Sequence, residues 1–157
     1  METLKIEIPE GYMIDSFDKV SGQVKFKAKP KDVLERIKTI PDALRELGEQ
    51  DEQVIIYRKL LTQFDASCHI VNYQLAVVII RALNEKREPD WDDSSKVKYS
   101  LWFIMASSGF RSDGFGAWRS GSNVGSRLCF MEKRLGLHAV EQPEFMNVFK
   151  LFMTIQK

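Results

Sequence analysis

Cys68-His69, Cys129 and His138 are the side chains best suited to hold a transition metal. Zinc sites draw on ligand pairs two to five residues apart on a turn, whereas here one pair is adjacent and the other is nine apart, so no metal is expected. Asp90, Asp92 and Ser94 copy the first alternating ligands of a calcium loop. Ser95 then stands where the sharp-turn glycine belongs and Leu101 where the bidentate glutamate belongs, which breaks the match. A catalytic thiol needs a helix start or a glycine-rich elbow to lower its pKa, and neither Cys68 nor Cys129 has one. Cys129, between Leu128 and Phe130, reads as a core strand residue, and the two histidines read as surface or capping groups. Any two acids from Asp90 to Asp93 make a carboxylate pair, but nothing in the spacing sets the separation that glycoside hydrolysis requires. Gly109 to Gly116 is glycine-rich, yet no Lys-Ser/Thr follows and the third glycine of a dinucleotide fingerprint is missing. The chain therefore reads as non-enzymatic, with no catalytic residue and no cofactor expected.

Charge and aromatic rings give the remaining signal. Residues 1–95 hold 14 Lys/Arg against 18 Asp/Glu, while residues 96–157 hold 9 against 4, so a net charge of +1 hides an acidic first part and a basic last part. Within the basic part, Arg111, Arg119 and Arg127 interleave with Phe110, Phe115 and Trp118. That composition suits a stacking platform for single-stranded nucleic acid. It equally suits a protein interface, where aromatic residues and arginine are enriched. A third reading is that the rings only cover the core and the arginines are solvated. These six residues are the candidate binding site.

The elements that would position them follow from periodicity. Leu4, Ile6 and Ile8 alternate with polar residues up to Pro9, as in a half-buried strand. Tyr12 to Phe17 and then Val24, Phe26 and Ala28 against Lys25, Lys27 and Lys29 predict a hairpin or three-strand meander. Its lysine-rich face reads as edge protection against self-pairing. From Pro30 the period becomes helical: Val33, Leu34 and Ile37; a fresh start at Thr39-Ile40-Pro41-Asp42 with Gly48 as its stop; Asp51 to Phe64; and the strongly apolar Ile70 to Leu83, placed centrally under the sheet. Glu88 to Ser95 must be a loop. Val97 to Met105 predicts an aromatic strand, Ser107 to Gly125 a long loop with a short strand at Phe115 to Arg119, and Arg127 to Phe130 a further strand. Two helices, Glu132 to Ala139 and Pro143 to Ile155, close the chain. Strands, helices, strands and helices in that order argue for α+β with an antiparallel sheet completed by the later strands.

The chain has 157 residues, which suits one domain, 1–157, with a core of its own. Its 44% hydrophobic and 29% charged residues are those of a globular protein. The longest apolar run, Leu75 to Ile80, is cut by Arg81, so no spanning helix and no membrane partner are expected. The first residues lack a basic segment followed by an apolar one, which predicts no secretory signal and reduced cysteines in a cytoplasmic setting.

Four stretches also carry a resemblance: Met1 to Tyr12; Val24-Lys25-Phe26-Lys27 with Lys29-Pro30-Lys31-Asp32; Ala82-Leu83-Asn84-Glu85 with Pro89-Asp90-Trp91-Asp92-Asp93-Ser94; and Gly125-Ser126-Arg127-Leu128-Cys129-Phe130. Together they resemble uncharacterised small proteins encoded by bacteriophages and prophages of gut anaerobic bacteria. The resemblance runs as far as Phe130 and implies a setting, the bacterial host cytoplasm or a virion, without implying an activity. It favours an accessory binding protein that contacts a protein or single-stranded nucleic acid, with homo-oligomer formation open. The alternative is a virion capsid or tail component with the Leu4 to Ile8 strand as its assembly contact.

Overall fold

Alternation at the amino terminus closes into an antiparallel hairpin, β1 (Tyr12–Phe17) with β2 (Val24–Ala28), in a computed structural model that describes residues 6–155 except Pro30 and Ser108. Contacts group the chain into two compact units, Met1–Asp32 and Val33–Lys157. In the first, Tyr12 pairs with Ala28, Ile14 with Phe26 and Phe17 with Val24, and the register slips once between Ile14 and Ser16. The turn is built by Asp18, whose carboxylate accepts from the Val20 amide at 2.9 Å and the Ser21 hydroxyl at 2.6 Å. The Ser21 bond, and after it the Val20 amide, hold that carboxyl below the ordinary range. Gly22 follows at φ +70°, a conformation that favours glycine. Of the expected Leu4 to Ile8 strand, Ile6–Pro9 carry no strand pairing, and Leu4 and Lys5 lie outside the described residues.

The second unit is built on one helix. α4 (His69–Leu83) buries Val71, Leu75, Ala76, Val78, Ile79, Ile80, Ala82 and Leu83, so it has almost no polar stripe and needs neighbours on nearly every side. α2 (Ile40–Leu47), α3 (Glu52–Leu61) and α6 (Pro143–Met153) supply them. Its two buried amides are satisfied: Asn72 donates to the Ala66 and Cys68 carbonyls, and Gln74 to that of Gln53. Short α1 (Val33–Arg36) and α5 (Lys133–Glu141) complete the helices, and Phe130, Leu135, Phe145 and Phe149 fill the core between them. α2 begins with a capping box in which Thr39 and Asp42 each accept from the other's amide, and ends at Gly48 with φ +81°. No helix among the described residues is long and apolar enough to cross a membrane.

The later strands hold the main differences from the sequence reading. β3 (Lys98–Ala106) is as expected, but Gly109–Trp118 is a full strand, β4, paired antiparallel along all of β3, and not a loop with a short strand at its end. The glycines that suggested a loop are paired within the ladder: Gly109 faces Ala106, Gly114 faces Trp102 and Gly116 faces Ser100. Arg127 to Phe130 is not a strand either. Ser126–Leu128 is one 3₁₀ turn, after which Phe130 alone pairs with Tyr99 through two backbone bonds of 2.7 and 2.8 Å. The fold is α+β, with each antiparallel hairpin forming its own two-stranded sheet.

Candidate functional site

The β3–β4 hairpin sorts its side chains onto two faces by register. Tyr99, Leu101, Phe103 and Met105 lie opposite Ala117, Phe115, Ser112 and Phe110, which defines one face. Lys98, Ser100, Trp102 and Ile104 lie opposite Trp118, Gly116, Gly114 and Arg111, which defines the other. The register shifts once, between Trp102 and Phe103, leaving Asp113 as the unpaired extra residue of a bulge. That bulge explains how Phe110 and Phe115, an odd number of residues apart, come to share a face. A strict alternation would have turned one of them outward.

Both phenylalanines serve packing. Phe110 stacks on Phe103 with centroids 4.7 Å apart, and Phe103 in turn meets Phe149 at 5.7 Å. Phe115 meets Tyr99 edge-on at 6.4 Å, with the Lys133 ammonium 5.6 Å from its centroid. It also closes on α5: a β-carbon added at Gly136 would lie 2.5 Å from the Phe115 ring and 3.3 Å from Phe130. Gly136→Ala is therefore expected to destabilise by about 1–2 kcal/mol, because overpacking outweighs the roughly 1 kcal/mol that alanine normally gains in a helix. Chemical denaturation checks this, and the loss should shrink in the Phe115→Leu background.

The other face presents a different surface. Trp102 is 57% exposed and has only the glycine hydrogen across from it. Arg111 is exposed and lies diagonal to Trp102, within reach of a long side chain. Trp118 is half-buried: its indole donates to the Ser100 hydroxyl at 2.8 Å, and its ring lies so close over Gly116 that a β-carbon there would sit 2.8 Å from it. At the strand end, the exposed Arg119 donates to the Ser94 carbonyl at 2.8 Å. Beneath this end Lys98 is buried, donating to the Asp93 and Arg119 carbonyls at 2.9 Å each, with its ammonium 5.3 Å from the centre of the Trp91 ring. Lys98 thus pins the preceding loop to the hairpin.

Arg127 belongs elsewhere. It lines a cleft of about 310 Å³ with Arg81, Asn84, Arg87 and Glu88. The cleft's other cations are matched: Arg81 pairs with Asp51 at 3.1 Å and with Glu88, and Arg87 pairs with Glu132 at 3.2 Å. Among the described residues Arg127 forms no ion pair of its own. Of the six candidate residues, then, Arg111 and Trp118 share the outward side of the hairpin, Phe110 and Phe115 face inward, Arg119 lies just past the end of β4 beside Ser94, and Arg127 lines the cleft. Trp102 was missed. Its signal was the alternation of Leu101 and Phe103, which puts the intervening Trp102 on the opposite face.

Cys68, half-buried, stands at the N-cap of α4, a helix start that the sequence reading did not give it, and the other groups weighed for chemistry hold structural positions. Asp90 accepts from the amides of Asp92 and Asp93 at 3.2 Å, and Asp93 accepts from the Ser95 amide at 2.9 Å and pairs with Lys96 at 3.0 Å. The Ser95 hydroxyl, and after it Lys96, hold the Asp93 carboxyl far below the usual range, so the acidic run is a fastened turn. Cys129 is buried, donates to the Gly125 carbonyl at 3.3 Å, and has its thiol pKa pushed up by that burial. His138 is not a surface or capping residue. It is buried, with Nε2 2.6 Å from the Ile37 carbonyl oxygen. A carbonyl can only accept, so Nε2 carries the proton and Nδ1 faces the Gln142 amide at 3.4 Å. Among the described residues, no three of His, Cys, Asp and Glu are grouped to hold a metal.

Comparison with known proteins returned no match to a family model, to a curated protein or to a solved structure.

Proposed function

We propose that the chain is a non-enzymatic accessory binding protein whose β3–β4 hairpin contacts a protein partner through its outward face, with Trp102 at the centre, Arg111 and Trp118 beside it and Arg119 at the end of β4. A bacteriophage or prophage setting rests on the resemblance carried by the sequence. The observation that supports a binding surface is the open Trp102 ring on a rigid strand across from Gly114, since an exposed tryptophan beside arginines is the composition of an interface hot spot. A protein partner is favoured over single-stranded nucleic acid by the direction of the rings. A stacking platform offers successive bases successive open rings, and Phe110 and Phe115 are turned inward here.

The test is affinity capture from lysate of a gut anaerobe, with cross-linking mass spectrometry to place the contact, beside titration with single-stranded oligonucleotides. The expected result is a protein cross-linked to the outward face and lost in Trp102→Ala/Arg111→Ala. Oligonucleotide binding that falls steeply with salt and depends on the same two residues would overturn the choice of partner. A partner captured equally by wild type and variant would overturn the surface.

A further inference from the structure

The cleft that Arg127 lines is built on one face of α4. Val77, Ile80, Arg81 and Asn84 recur at helical spacing and form a single stripe, which α3 flanks with Glu52 and Gln53 and the 3₁₀ turn flanks with Ser126 and Arg127. All of these residues belong to the Val33–Lys157 unit.

The polar groups of the cleft fall into two sets. The first is taken up by the fold: Arg81 holds Asp51 and Glu88, Asn84 holds the Cys129 carbonyl and the Met131 amide, and Arg87 donates to the Asn84 carbonyl at 3.1 Å and pairs with Glu132. The second has no partner among the described residues. It consists of the Glu52 carboxylate, the Arg127 guanidinium, the Ser126 hydroxyl and the amide nitrogen of Gln53, whose side-chain oxygen already accepts from Gln74 at 3.0 Å.

A frame whose own charges are matched thus leaves over one cation, one anion and two neutral hydrogen-bonding groups. We propose that the cleft binds a free α-amino acid, with Arg127 donating to its carboxylate through paired N–H groups and Glu52 accepting from its ammonium. Ser126 and Gln53 supply further donors. A phosphate or a nucleotide would offer nothing to Glu52 and would meet it as a like charge. The volume of about 310 Å³ lies at the small end of the roughly 300–1,000 Å³ of small-molecule sites, which suits a single amino acid. Neither Trp102, Arg111 nor Trp118 lines this cleft, so the site does not rest on the outward face of β3–β4.

Calorimetric titration of the full chain with each standard amino acid is expected to find at least one that binds with a Kd of about 1 mM or below. The N-acetyl and carboxamide forms of that amino acid should each bind about 10-fold more weakly or worse, the scale of a hydrogen bond to a charged group. Glu52→Gln should erase the preference for the free amine and keep that for the free carboxylate, and Arg127→Gln should do the opposite. The comparison of ligand forms uses the wild-type chain, so it decides the matter even where a variant folds poorly. Binding by no standard amino acid overturns the inference, as does an N-acetyl form that binds as well as its parent, or inorganic phosphate that binds more tightly than any amino acid.

Discussion

Phe130→Ala is expected to lower stability by about 4 kcal/mol, the scale of deleting a fully buried ring whose surroundings only partly collapse. Phe130 has no accessible surface and sits where the β3–β4 hairpin meets the helical core. Its backbone pairs with Tyr99 in both directions, and its ring lies against Gly136 beside Phe115. Alanine keeps the backbone pairing and leaves a cavity under the hairpin. For a unit of this size the loss corresponds to a fall in Tm of roughly 15 °C. Urea denaturation should show the midpoint falling while the slope is unchanged, the signature of lost stability in an otherwise similar fold.

Asn84→Ala is expected to cost about 3 kcal/mol although it removes little apolar volume. Asn84 is buried at the end of α4, where its amide donates to the Cys129 carbonyl at 2.9 Å and its carbonyl oxygen accepts from the Met131 amide at 3.0 Å. Both backbone partners lie in the segment that leads from the 3₁₀ turn into α5. Truncation leaves a buried donor and a buried acceptor without partners, each a loss of about 1–3 kcal/mol. Asn84→Asp separates the two bonds. It keeps an acceptor for the Met131 amide but sets a carboxyl group against the Cys129 carbonyl, which favours the protonated form and raises the folded-state pKa above the unfolded value of about 3.9. With that sign, the aspartate variant is closest to wild type at acid pH and loses stability as the pH rises through the folded pKa. Thermal melts of both proteins across that range measure the difference directly.

How much of this was legible in the sequence depends on whether local chemistry or register decides. Thr39, Pro41, Asp42 and Gly48 marked α2 because caps act within a few residues, and the apolar run from Ile70 to Leu83 marked the central helix because only a helix surrounded by others lacks a polar stripe. β4 was hidden because Gly109, Gly114 and Gly116 are poor strand formers in isolation. Gly116 fits here because the Trp118 ring and the Ser100 hydroxyl occupy the space a side chain would need, and Gly109 and Gly114 sit at φ +111° and +137°, a conformation that favours glycine. The candidate rings were found by type, but their faces were not, since one bulge residue, Asp113, reverses the phase between Phe110 and Phe115. A spacing of five between the phenylalanines carries that signal, as the spacing of three between Ile14 and Phe17 does in the first hairpin. His138 could not be placed in advance: its partner is the Ile37 carbonyl, far away in sequence and carrying no side-chain signature.

The central claim is that the two faces of β3–β4 divide the work, one packing the core and the other meeting a partner. Its most direct test is a paired measurement of melting temperature and affinity for the captured protein on Trp102→Ala and Phe115→Leu. The predicted result is an affinity loss of about 30-fold or more with a nearly unchanged melting temperature for Trp102→Ala, and the reverse for Phe115→Leu. A Trp102→Ala protein that binds as wild type, or a stably folded Phe115→Leu protein that does not bind, would contradict it.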